Sequence, residues 1–316
     1  MRRTFSIERA LSDGLQLAFR RPATAFLWGL LLLMPIVISF IGLVMLVGAA
    51  GAMSEDPTGH LDVGAMIGVN LLSLSSNGLQ LLAMVFVTAA AVVATAAAYR
   101  PTRRGPPYLG FGMEELMVGV TVLALCVGFM GLLIPLVLLG MGIGFAAHQA
   151  VGDWAPWFWG SYIAVAVVGV IILSLRLSLV IPASVLNKTL ALPDAWRATR
   201  GQVGRLLGLT VVIWVIQLVL SVFVFLLIAV VVLLAGAVAG WRWEDFQDVR
   251  QLSDLSPSWA LIIGLTVAAL VFAWLQGVTQ ALGIAPYASA WLQLSQPKAD
   301  VAADEPAPDA VASPEL

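Results

Sequence analysis

The chain has 316 residues, 60% of them hydrophobic and only 11% charged, with a mean hydropathy of +0.98. Soluble domains average roughly 45 to 50% apolar residues even with glycine counted in, so this composition excludes an ordinary soluble globule and describes a membrane protein. A net charge of −2 conceals a strong segregation of basic from acidic residues along the chain.

Residues 1–25 contain Arg2, Arg3, Arg9, Arg20 and Arg21 without the early apolar core of a signal peptide, and read as a retained cytoplasmic segment. Within it Ile7, Ala10, Leu11, Leu15 and Ala18 recur at helical spacing, opposite Arg9, Asp13, Gln16 and Arg20. That pattern predicts a short amphipathic helix, capped by Ser6 and ended by Pro22. The membrane domain then covers 26–296, with six spans of about the 20 residues that cross a hydrocarbon core. The first is 26–48, with Pro35 near its middle. A serine- and asparagine-rich entry segment, Leu61 to Asn77, leads into the second at 78–98. The third is 116–139, where Pro135 and then Gly140, Gly142 and Gly144 ease its exit or allow close packing. The fourth, 157–186, opens on interfacial tryptophans and contains Arg176. The fifth is 206–240 and the sixth is 259–292, reaching across Pro286. Residues 297–316, rich in Ala, Pro and acid, read as a disordered acidic tail.

Six spans place both termini on one side. All sixteen Lys and Arg except Arg242 and Arg250 then fall on that side, while Glu55, Asp56, Asp62, Asp153, Glu244, Asp245, Asp248 and Asp254 fall on the other. The positive-inside rule makes the basic side cytoplasmic. An odd number of spans would strand one of the basic clusters outside.

Ala10-Leu11-Ser12-Asp13 before the first span is echoed by Ala191-Leu192-Pro193-Asp194 before the fifth. The second copy predicts another amphipathic helix, with Leu192, Ala195, Trp196, Thr199 and Val203 opposite Arg197, Arg200 and Arg205. Any repeat would be parallel, since the two copies share orientation, and the shared physics of interfacial helices accounts for so short a match without duplication. The segments Arg176 to Pro182, Ala195 to Gly201 and Ala285-Pro286-Tyr287-Ala288 resemble six-helix bacterial inner-membrane proteins related to the membrane domain fused to some glycerophosphodiester phosphodiesterases. The resemblance implies this architecture and an inner-membrane location. It implies no chemistry, since the hydrolase of those relatives is a separate soluble domain that no segment here could form.

The residues themselves offer no catalytic set and no metal or cofactor site. His60 and His148 sit by short polar connections and read as solvated. Cys126 lies within a span with no neighbouring base and reads as apolar filler. Gly140 to Gly144 lacks the Lys-Ser/Thr of a phosphate loop. Arg176 is the one charge placed below the headgroups, near the cytoplasmic end of its span, where it reads as snorkelling to the interface or as paired with Glu114 or Glu115 at the start of the antiparallel third span, ahead of any substrate contact. Arg20, Arg21, Arg100, Arg103, Arg104, Lys188, Arg197, Arg200 and Arg205 form a belt suited to anionic lipid headgroups. A belt tied to the membrane and interrupted by acids does not suit nucleic acid. Ion-coupled transport lacks its usual buried acid and histidine chain. Asn70, Ser73, Ser75, Ser76, Asn77 and Gln80, with Gln217, Thr266, Gln276, Thr279 and Gln280, are the residues that would line a passive path.

The expectation is therefore an all-α, six-span bundle with two cytoplasmic interfacial amphipathic helices. Its expected role is non-enzymatic: a scaffold or lipid-handling module whose partners are the bilayer, its anionic lipids and a second membrane protein. A passive transporter or channel is the alternative.

Overall fold

The computed structural model describes residues 4–54, 63–99, 105–151, 155–238 and 259–295. The tail at 297–316, His60, Arg100, Arg103 and Arg104 lie outside these residues. The described chain is helical throughout, with no strand: α1 (Ile7–Arg20), α2 (Pro22–Ser54), α3 (Val63–Ala96), α4 (Met113–Val151), α5 (Ala155–Leu177), α6 (Val180–Asn187), α7 (Leu192–Ala198), α8 (Val203–Val238) and α9 (Trp259–Ser295). Six stretches are long and apolar enough to cross a bilayer: Pro22–Gly42, Asn70–Ala96, Met113–Gln149, Pro156–Asn187, Val203–Val231 and Ile262–Ser295. Large apolar side chains lie exposed along most of them. In water that surface would be ruinous, whereas in lipid it is the expected outer face. The chain is a multi-pass membrane protein.

Helix α9 is the axis of the fold. Its 37 residues run about 55 Å at 1.5 Å per residue, well beyond a hydrocarbon core of about 30 Å. Successive lengths of it are covered by α1 and α2, both running antiparallel to it. Along α1, the Ser6 backbone N–H donates to Gln293 Oε1 at 2.8 Å, Gly14 lies on Pro286, and Phe19 meets Trp274 edge-on at 6.5 Å between centroids. The face of α1 that makes this contact is a small-residue stripe, Ala10, Gly14 and Ala18, all buried. Its opposite face keeps Glu8, Arg9, Gln16 and Arg20 exposed. Much of the apolar side of α1 is thus spent on protein, in addition to any contact with lipid.

Pro22 opens α2 at a position where a helix has no use for an amide hydrogen. Below it α2 and α9 meet backbone to backbone. A Cβ on Gly29 would collide with the Ala273 carbonyl, and one on Gly277 with the Ala25 carbonyl. Ala25-x3-Gly29 facing Ala273-x3-Gly277 is the small-residue spacing by which helices approach closely in lipid, where dispersion contact must do what water exclusion cannot. Against this pair packs the C-terminal half of α3, whose run from Ala89 to Ala96 is buried at every residue. Helix α8 lies along the other side of α9, joined by Thr210 and the Tyr287 hydroxyl at 2.8 Å and by Gln217 Nε2 donating to the Thr279 carbonyl at 3.2 Å.

Helix bounds differ from the expected ones at three places, each for a local reason. The second span has no separate entry segment, because α3 is unbroken from Val63. Its serines are absorbed by carbonyls: Ser75 Oγ donates to Leu72 O at 2.9 Å and Ser76 Oγ to Pro35 O at 2.7 Å. The third span does not exit at its glycines. There α4 continues to Val151, and Gly140 and Gly144 are the places where the rings of Tyr162 and Trp159 fit against it. The fourth span is broken after Leu177 into α5 and α6. The sixth does cross Pro286 without interruption.

Candidate functional site

One end of the bundle collects the start of α1, the ends of α3, α6 and α9, the starts of α4 and α8, and α7. Direct contacts tie these together: Glu114 to Lys188 at 3.0 Å, Arg205 Nη1 donating to the Phe5 carbonyl at 3.3 Å, and Trp28 Nε1 donating to the Pro107 carbonyl at 3.0 Å. Every described Lys and Arg lies at this end, which is called the basic face below.

The best-organised polar cluster on it centres on Asp13. Both the Tyr99 hydroxyl and Ser289 Oγ donate to Asp13 Oδ2, the latter at 2.5 Å. Gln293 Nε2 donates in turn to Ser289 Oγ at 3.2 Å, and the Arg9 guanidinium lies 5.4 Å from the Tyr99 ring centre. Burial, and then the hydrogen bond to Asp13, raise the Tyr99 phenol above its usual value of 10.0. It therefore remains a proton donor to the carboxylate throughout the physiological range. One network thus joins α1, the end of α3 and α9.

Beside it lies a cleft of about 190 Å³ lined by Asp13, Gln16, Leu17, Arg20 and Arg21 and by Ala94, Thr95 and Ala98. Residues 13, 16, 17 and 20 share one face of α1 by helical spacing, and 94, 95 and 98 share one face at the end of α3. Arg21 is held by a hydrogen bond from Nη1 to the Tyr108 hydroxyl. Thr95 Oγ1 donates its proton to the Ala91 carbonyl at 2.8 Å, which leaves its lone pairs as its remaining polar capacity.

The other expected residues are placed as follows. Glu114 takes Lys188 as its partner, and Glu115 beside it in sequence is buried. Arg176, in the last turn of α5, lays its guanidinium over the Trp196 ring of α7, 4.8 Å from the centroid, with Nε buried and lacking an acceptor among the described residues. Arg197 lies 3.9 Å from Asp194, and Arg200 is exposed. Four of the residues expected to line a passive path have their polar groups engaged within the bundle. Ser76 is spent between α2 and α3 and Gln217 between α8 and α9, while Thr266 and Thr279 donate to carbonyls of their own helix.

Among the described residues no three His, Cys, Asp or Glu gather as a metal site. The polar face of α1 already marked Asp13, Gln16 and Arg20. Tyr99, Thr95, Tyr108 and Ser289 were missed, since each is an isolated polar residue in or beside an apolar run and gains a role only by contact across the fold. Set against family models, curated proteins and solved structures, the chain matches none of them.

Proposed function

We propose that this is a non-enzymatic protein of the bacterial inner membrane, with both termini cytoplasmic, that handles lipid or holds a membrane partner through its basic face. One observation carries the reading. The described cations crowd one end of an apolar bundle, yet among the described residues only Lys188 and Arg197 lie within ion-pair distance of a carboxylate. Arg20 and Arg21 directly precede the apolar span that begins at Pro22, which puts them at headgroup depth. Guanidiniums offered there without a carboxylate partner among the described residues suit lipid phosphate, each cation contributing about 1 kcal/mol near an anionic surface. The kinship to the membrane domain of glycerophosphodiester phosphodiesterases, suggested by Arg176 to Pro182 and Ala195 to Gly201, belongs to the same proposal and supports a module without its own chemistry.

Native mass spectrometry of the protein released from gentle detergent tests it. Retained anionic phospholipid is expected, falling by about a hundredfold when Arg197, Arg200 and Arg205 are all changed to Gln. A stoichiometric co-purified membrane protein would support the scaffold form of the reading. A bare monomer, with neither lipid nor partner, would overturn both forms.

A further inference from the structure

We infer that the cleft between α1 and the end of α3 recognises a zwitterionic headgroup bearing a phosphodiester and a primary ammonium, as in phosphatidylethanolamine. The inference rests on the lipid reading above and adds to it a specific site and a chemical class.

The cleft has opposite charges at its two ends. Arg20 and Arg21 stand at the end next to the first apolar span, and Asp13 stands about 10 Å further along the same helix face, seven residues at 1.5 Å each. Arg21 is oriented by Tyr108 through both its hydroxyl and its ring, and Arg20 is exposed and forms no hydrogen bond or ion pair among the described residues. Two adjacent guanidiniums, each a fork of N–H donors, match phosphodiester oxygens.

At the other end the groups are acceptors. Asp13 receives both of its donors on Oδ2, and Oδ1 accepts none among the described residues. Thr95 has given its proton to Ala91, and Gln16, exposed in the lining, brings an amide oxygen. A primary ammonium carries three donors and no acceptor, so it fits such a set. A quaternary ammonium has no N–H to give, and a headgroup with only negative charge would meet the Asp13 carboxylate. Between the two ends Leu17, Ala94 and Ala98 supply an apolar wall for the carbon skeleton joining phosphate to amine. The site therefore selects for one headgroup by donor and acceptor polarity, whereas the basic face as a whole selects only for negative charge.

The test uses the full-length protein in detergent, equilibrated with equal parts of phosphatidylethanolamine, phosphatidylcholine and phosphatidylglycerol, with bound lipid read by native mass spectrometry. Retention of ethanolamine over choline lipid by about tenfold is expected, the size of one charge-assisted hydrogen bond. Asp13→Asn should abolish that ratio, with folding checked by thermal unfolding. Should Asp13→Asn fail to fold, Arg20→Gln, which removes an exposed side chain with no partner among the described residues, should lower ethanolamine lipid several-fold. Equal retention of the two lipids by the wild type, a preference that survives Asp13→Asn, or unchanged retention in Arg20→Gln would each overturn the assignment. Enrichment of phosphatidylglycerol over phosphatidylethanolamine would overturn it while leaving the anionic-lipid reading intact, and absence of all lipid would sink both. Titrating lipid-free protein with glycerophosphoethanolamine separates the sources. Saturation by this diester shows that the free headgroup suffices, and saturation by the lipid alone shows that acyl chains are required; either supports the same donor and acceptor set.

Discussion

Asp13 is held by two hydroxyl donors from helices remote in sequence, and Tyr99 is the one whose protonation matters to the fold. Its folded pKa lies above the usual 10.0 because burial and the Asp13 hydrogen bond favour the neutral phenol. Folding therefore favours the protonated form. The stability tied to it is fully present below about pH 10 and is lost as pH rises through the raised value. Tyr99→Phe should lose about 1 kcal/mol at neutral pH, the net worth of one hydrogen bond. It should also lose less on going from about pH 8 to about pH 11 than the wild type does. Thermal unfolding of both proteins in detergent at the two pH values checks this, and an equal alkaline loss in the two would contradict the assignment. The neighbouring polar residues were only partly legible in advance. Helical spacing marked Asp13, Gln16 and Arg20 as one face, but spacing within one helix says nothing about which hydroxyl of another helix completes a carboxylate.

At the scale of elements, the crossing of α2 and α9 decides whether the bundle assembles. Gly29 and Gly277 sit where each helix backbone occupies the space that a Cβ on the other would need. The obstructing atoms are carbonyls and not flexible side chains, so even alanine forces the two helices apart. Gly29→Ala should cost about 3 kcal/mol, the upper end of ordinary overpacking, and lower the yield of monodisperse protein. Gly128→Ala is the control. Nothing lies within 4 Å of its added methyl, and replacing glycine in a helix gains about 0.5 to 1 kcal/mol. Wild-type stability in Gly29→Ala would show that the close crossing is not needed. The same reasoning accounts for Gly140 and Gly144, whose spacing read equally well as a loosened helix end or as close packing. The choice fell to Tyr162 and Trp159 on α5, which fill the space at those two positions while leaving nothing against Gly142.

For the whole molecule, the gathering of the described cations at one end makes sidedness testable. In a Cys126→Ser background, Glu8→Cys places a thiol on the exposed face of α1. If the basic face is cytoplasmic, a membrane-impermeant maleimide should label it only after the membrane is permeabilised, and labelling in intact cells would reverse the orientation. Six spans, an all-helical bundle and a charge-sorted end were legible from sequence, because hydrocarbon demands long apolar helices and interfacial charges cannot be hidden among them. Proline, serine and glycine misled on boundaries, since in lipid their effects depend on what a neighbouring helix supplies: Ser76 found the Pro35 carbonyl, and Gly144 found an indole. Composition and periodicity by themselves determined that this chain crosses the membrane and which end is basic. Only the tertiary structure decided that α1 lies along α9 instead of solely against lipid, and that Arg20, Arg21 and Asp13 line one cleft with Thr95. Those juxtapositions depend on side-chain shape between helices far apart in sequence, which no period along a single helix encodes.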